Sequence, residues 1–156
     1  MEVIPLGITT VQYEGIIDDQ KFYNFVKDTL QGMGYKVTEN AYVQFAGGNY
    51  AIDWSAKKLV DDYMAYRMNV KLDYRGLNET SAVKDGKPVK VKTGQVQIKI
   101  ISDILLDYLD KWTVGISKLI RPIYDKMNRD VINQRKTAFE NEIQNLKSSL
   151  QSHLGQ

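Results

Sequence analysis

The segment Tyr63-Met64-Ala65-Tyr66-Arg67-Met68-Asn69-Val70-Lys71-Leu72-Asp73-Tyr74 decides how the chain is read. Met64, Tyr66, Met68, Val70, Leu72 and Tyr74 occupy alternate positions, with Ala65, Arg67, Asn69, Lys71 and Asp73 between them. Successive strand side chains point to opposite faces, so this is a long strand with one buried and one wet face. A sheet built on it needs an apolar cover for its Met/Tyr/Val/Leu side. The long helical tract at the C-terminus is the candidate.

Upstream, Ile8 to Ile17 is rich in β-branched residues and reads as a first strand. Asp18 and Asp19 offer an N-cap to a helix whose stripe is Phe22, Val26, Leu30 and Met33, with Phe25 alongside. Gly32 and Gly34 stop that helix. Tyr35 to Phe45 is a strand, 46–49 a turn, and Tyr50, Ile52 and Trp54 share one face of the next strand. Ser55 to Asp62 breaks the alternation and reads as a wide turn or short helical link. Downstream, Gly76 ends the central strand. Asp85-Gly86 suits the positive φ angles of a hairpin turn, and Pro88 places the following strand at an edge or at its start. Val96, Ile98 and Ile100 open another strand, which runs to about Tyr108.

The remainder is helical. Leu119, Ile120, Ile123, Met127 and Val131 form one stripe, and Phe139, Ile143, Leu146, Leu150 and Leu154 another. At ~100° per residue the two are out of phase. Pro122 suits a first helical turn, and Thr137 with Glu140 matches a capping box. A bend or break is therefore expected between Asn133 and Thr137. The fold class that follows is α+β: a curved antiparallel sheet of about six strands, an N-terminal helix and a long, bent or broken C-terminal helix. Residues 1–136 form one domain on this reading, and 137–156 a helical arm.

The chain has 156 residues, a net charge of +2, one His and no Cys. Without cysteine there are no disulfides, thiol nucleophiles or cysteine-ligated metals. His153 lies near the chain end, where a positioned catalytic base is rare. The pairs Asp18/Asp19 and Asp61/Asp62 and the series Asp103, Asp107, Asp110 supply the acidic groups for acid–base work; as turn residues they also read as caps. No metal or cofactor is expected. Gly47-Gly48 lies between strands and is no phosphate cradle. The charge is too mild to imply nucleic acid. No run approaches a membrane-spanning length. The N-terminus lacks the features of a signal peptide, so a cytoplasmic location is expected.

Three candidate surfaces follow. Lys84, Lys87, Lys90, Lys92 and Lys99 surround the Asp85-Gly86 turn, with Arg67 and Lys71 nearby; they fit an acidic partner or a lysine-guarded sheet edge. Trp54, Met64, Tyr66, Met68, Val70 and Leu72, facing Ile120, Ile123, Tyr124 and Met127, fit either an apolar ligand pocket or plain core. Trp112, Tyr63 and Tyr108 are further aromatic candidates. The stripe Phe139, Ile143, Leu146, Leu150, Leu154 is narrow and flanked by polar residues, as a helix-pairing seam is; it fits a contact arm in a larger assembly, or a return onto the Phe22 helix.

The order strand, helix, several antiparallel strands, long C-terminal helix resembles the helix-grip fold of START-like, polyketide-cyclase-like proteins. That resemblance implies a curved sheet wrapped around the last helix with a hydrophobic cavity between them. It covers most of the chain and rests on element order; this chain has one helix after the first strand where that superfamily usually has two. Trp54-Ser55-Ala56-Lys57-Lys58, Asp61-Asp62-Tyr63 and Asp85-Gly86-Lys87 are also similar to small uncharacterised archaeal proteins. The functional expectation is a non-enzymatic binding domain for an apolar or amphipathic small molecule. The alternatives are a structural subunit of a larger assembly and a cavity enzyme of cyclase or hydrolase type.

Overall fold

The structure, a computed structural model, describes residues 1–111 and 116–155, and at 116–118 the backbone alone. Its elements in chain order are β1 (Glu2–Ile16), α1 (Asp19–Gly32), β2 (Lys36–Phe45), β3 (Asn49–Leu59), β4 (Met64–Lys84), β5 (Lys87–Leu106), α2 (Ile116–Met127) and α3 (Arg129–His153). The strands make one open antiparallel sheet in the order β1-β5-β4-β3-β2. The class is α+β, with five strands rather than about six.

The count differs because Gly76 does not end β4. The strand continues to Lys84 through a register shift between Arg75 and Asn78. Glycines make room for that irregularity. Gly76 sits at φ 60°. Gly48 sits at φ 73°, and a Cβ there would lie 2.4 Å from the Leu77 carbonyl oxygen. Leu77 N–H donates to the Gly48 carbonyl at 3.0 Å, so the β2–β3 turn is clamped onto the bulge. Beyond it β4 and β5 run out as one hairpin, closed at Asp85-Gly86, where Lys84 pairs with Lys87. Asp85 itself takes φ 53°, as the turn requires.

Of the segment read as a link, Ser55 to Asp62, the part from Ser55 to Leu59 is instead the end of β3. Ala56 and Lys58 take the inward positions; Ala56 is fully buried, and Lys58 is neutralised by Glu142 of α3 at 2.5 Å. A small residue and a paired lysine at core-facing positions erase the hydrophobic alternation without ending the strand.

The inner sheet face carries Trp54, Met68, Val70, Leu72, Ile98 and Ile100, all buried. Phe22, Val26 and Leu30 of α1 close one side, and Phe139, Ile143, Leu146 and Leu150 of α3 close the rest. Tyr66 stacks on Phe139 with ring centroids 4.3 Å apart and planes at 2°. Asp18 caps α1 by accepting from Lys21 N–H at 3.0 Å.

The helical break also moves. It falls at Asn128, not between Asn133 and Thr137. Nothing from Arg129 to His153 is Gly or Pro. Thr137 forms no capping box; its hydroxyl bonds the Asn133 carbonyl at 3.1 Å inside a continuous helix. One helix therefore crosses the boundary placed after residue 136. Pro122 lies inside α2 rather than in its first turn.

These positions have unequal energetic weight. Phe139→Ala is expected to lower unfolding stability by about 3–5 kcal/mol, because it opens a cavity in the core. Met127→Ala is expected to stay within about 0.5 kcal/mol, because its side chain faces solvent. Denaturant unfolding of the two variants checks this; similar losses would mean that α2, not α3, covers the sheet.

Candidate functional site

Helix α2 is amphipathic, and its two faces sit the opposite way round from a core helix. Residues Arg121, Tyr124 and Asp125 share one side at helical spacing. That side meets the domain. Arg121 donates through its terminal nitrogen to Glu2 at 2.8 Å and through Nε to the Tyr63 hydroxyl at 3.2 Å. The Tyr63 hydroxyl in turn donates to Asp125, and the Tyr63 and Tyr124 rings meet edge to face at 5.0 Å. Burial, then the bond to the Asp125 carboxylate, push the Tyr63 phenol above its ordinary value. Tyr63 is therefore a neutral donor at physiological pH.

The apolar side points to solvent. Leu119 is 75% exposed, Ile123 59% and Met127 80%, with Ile120 and Val131 exposed beside them. Leu109, in the turn before α2, is exposed as well. Lys126 and Arg129 are exposed beside this face, and neither joins an ion pair among the described residues. A cluster of exposed large aliphatics on one short helix is the kind of patch that marks an interaction site.

The turn after β5 is tightly built. Asp107 and Asp110 hold φ of 51° and 53°. The Asp107 carboxylate accepts from Lys111 N–H at 2.8 Å. At the far end of α2, Asn128 N–H and its side-chain amide both donate to the Tyr124 carbonyl, at 3.0 and 2.8 Å. In α3, Arg135 pairs with Asp61, which also accepts from Tyr63 N–H and Met64 N–H, each at 2.7 Å. Tyr66 donates to the Arg135 carbonyl at 2.7 Å. Polar anchors thus fix the helical pair from both sides while the stripe stays free.

The pocket candidates separate. Trp54, Met64, Tyr66, Met68, Val70 and Leu72 are buried on the sheet, but they face α3 and α1. Ile120, Ile123 and Met127 are on the solvent side of α2, and Tyr124 is part of its seat. Ile120, Ile123 and Met127 thus face away from the sheet group. Trp112 lies outside the described residues. A cavity of about 500 Å³ lies on the opposite, polar side, lined by Gln12, Glu14, Asp73, Arg75, Gln95 and Gln97 among others.

The interface candidates Phe139, Ile143, Leu146, Leu150 and Leu154 are buried within the chain itself. The basic group is dispersed. Lys84, Lys87 and Lys90 are exposed on the hairpin, Lys92 is bound to Asp19, and Lys99 stands beside Lys71 in the sheet register. Arg67, expected to extend the patch, makes a two-pronged pair with Asp103 at 2.7 and 2.5 Å.

The carboxylates are occupied structurally. Asp19, in the first turn of α1, accepts from Tyr50 at 2.7 Å and Lys92 at 3.0 Å. Burial works against its charge, but these two donors and the Lys92 charge outweigh it and hold Asp19 below the usual carboxylate range. The Tyr50 ring stacks on Tyr74 at 4.4 Å, so this cluster ties α1 to β3, β4 and β5. Sequence spacing located the acid but not its partners, which lie 31 and 73 positions away.

No protein-family model matches the chain, and no curated protein matches it significantly. No helix among the described residues is long and apolar enough to cross a membrane.

Asp19→Asn is expected to lower the melting temperature most at neutral pH. A depressed folded-state pKa contributes stability that is present above the unfolded value and lost as pH falls through the folded one. The gap between wild type and variant should therefore narrow below about pH 4. A gap that is flat from neutral pH to that range would show that the charge of Asp19 does not stabilise the fold.

Proposed function

We propose that the protein is a non-enzymatic docking domain that attaches to another surface through the outward face of α2. The observation that carries this is the inverted seating of the helix. Its ionic and aromatic side, Arg121, Tyr124 and Asp125, is used to hold it on the domain, and Leu119, Ile120, Ile123 and Met127 are left in water. Leaving such side chains exposed forgoes ~1.5–3 kcal/mol for each that burial would provide. A face of this kind is stable in solution but gains from being covered.

The small-molecule reading has less support. Its sheet residues are packed against α3, with Tyr66 stacked on Phe139 where a ligand would enter. A cyclase- or hydrolase-type site has less again, since Asp19, Asp61, Asp103 and Asp125 are each engaged by a cation or a donor. The assembly reading survives in altered form, with the contact moved from 137–154 to α2.

The test is the triple substitution Leu119→Ser, Ile123→Ser and Met127→Ser. The fold is expected to keep its melting temperature within about 4 °C, since exposed substitutions each cost little. Binding of a hydrophobic dye to the native chain should drop. A fall of more than about 10 °C would place these side chains in the chain's own core and end the docking reading.

A further inference from the structure

We infer that the surface α2 docks on is an anionic lipid bilayer, with the helix lying in the plane of the interface. This rests on the docking reading above and names its partner. Geometry comes first. Arg121 and Asp125 fasten the domain on the side of α2 diametrically opposite Ile123, at ~100° per residue. The helix therefore meets a flat surface along its whole length with the domain standing clear behind it. A groove-type partner would need the flanks of the helix, and one flank is closed by Tyr124 against Tyr63.

Charge comes second. Lys126 flanks the stripe within α2. Arg129 stands at its C-terminal end, exposed and without an ion pair among the described residues. Asp125 is engaged by Tyr63 and Arg121, which leaves Asp130 as the acid nearest the stripe. An apolar stripe bordered by lysine and arginine is the pattern of a helix that lies at a lipid–water interface. Basic residues close to an anionic leaflet each add to the attraction.

Area comes third. Five exposed aliphatic side chains offer on the order of 500 Å², short of the ~800 Å² per partner that a standard protein interface buries. A bilayer sets no such threshold, because insertion of a few side chains adds to the electrostatic term. Pro122 fits the same placement. It lies on the exposed side of α2, beside the stripe rather than in it. The helical carbonyl that it leaves unpaired would sit at headgroup depth, where water reaches it.

Co-sedimentation with lipid vesicles tests the inference on the full chain. Phosphatidylcholine vesicles with about a third phosphatidylserine should pellet the protein, and pure phosphatidylcholine should do so at least tenfold less. Ile123→Ser with Met127→Ser should lower the partition coefficient by about tenfold or more. Lys126→Glu with Arg129→Glu should lower it by a similar factor, and added salt should weaken binding of the native chain. Binding to anionic vesicles that survives the stripe substitutions would overturn the inference and assign the contact to the hairpin lysines. Absence of binding to either vesicle type would overturn it too. In that case, a triple Leu119, Ile123, Met127 variant of native stability leaves the docking reading standing. A wild-type mass in solution twice that of the variant would then name a second copy as the occupant.

Discussion

The inner face of the sheet is one surface, and burial of α3 against it governs where everything else goes. Met68, Val70 and Leu72 of β4, with Ile98 and Ile100 of β5, form a continuous apolar floor. The floor is closed by Phe139, Ile143, Leu146 and Leu150, a stripe that runs along a helix of 25 residues. Helix α2 has 12 residues. The longer helix, uninterrupted by Gly or Pro, spans more of the sheet, and Phe139 adds an aromatic contact stacked on Tyr66. Once α3 is down, that floor is closed, and of α2 among the described residues only Tyr124 packs against the core.

Ion pairs then place the helices rather than hold the fold together. Lys58–Glu142 fastens α3 to β3, and Asp61–Arg135 fastens its start to the loop before β4. Partly exposed pairs of this kind contribute little net stability. Their value lies in register: each joins residues far apart in sequence and disfavours a helix slid by one turn. Arg121 with Glu2 does the same for α2. The domain thus separates two tasks, apolar burial for cohesion and charge for alignment.

How much of this was legible follows from the same division. Alternation exposed β4 over Met64 to Tyr74 because every inward residue there is large and apolar. It failed over Ser55 to Leu59, where the inward residues are Ala56 and Lys58 and the lysine is matched only by a carboxylate 84 positions on. It failed again at Gly76, since a glycine that ends a strand and one that bulges it look the same until Gly48 is seen against Leu77. Both helical stripes were visible. Which one is core was not, because a stripe carries no record of which surface reaches it first. The narrowness that made 139–154 look like an arm reflects a helix that packs on the inner sheet face with α1 beside it. The polar side of α2 was equally unreadable as a seat: Arg121, Tyr124 and Asp125 acquire that meaning only from Glu2 and Tyr63.

The orientation of α2 is itself set by that seat. Against its polar side lie the Glu2 carboxylate, at the start of β1, and the Tyr63 hydroxyl. Half a turn of rotation would press Ile123 and Met127 onto them, taking the Tyr63 hydroxyl and the Glu2 carboxylate from their partners. Glu2, half exposed, would turn to water, whereas leaving a buried group such as the Tyr63 hydroxyl unpaired costs ~1–3 kcal/mol. That loss is of the same size as the gain from burying an aliphatic side chain. Arg121 and Asp125 would meanwhile lose their mutual contact with the domain. The stripe therefore faces outward because the polar end of the sheet accepts only the polar side of the helix. The same contacts, Arg121 to Glu2 and Tyr63 and the Tyr63 hydroxyl to Asp125, therefore both hold α2 on the domain and turn its aliphatic residues to solvent.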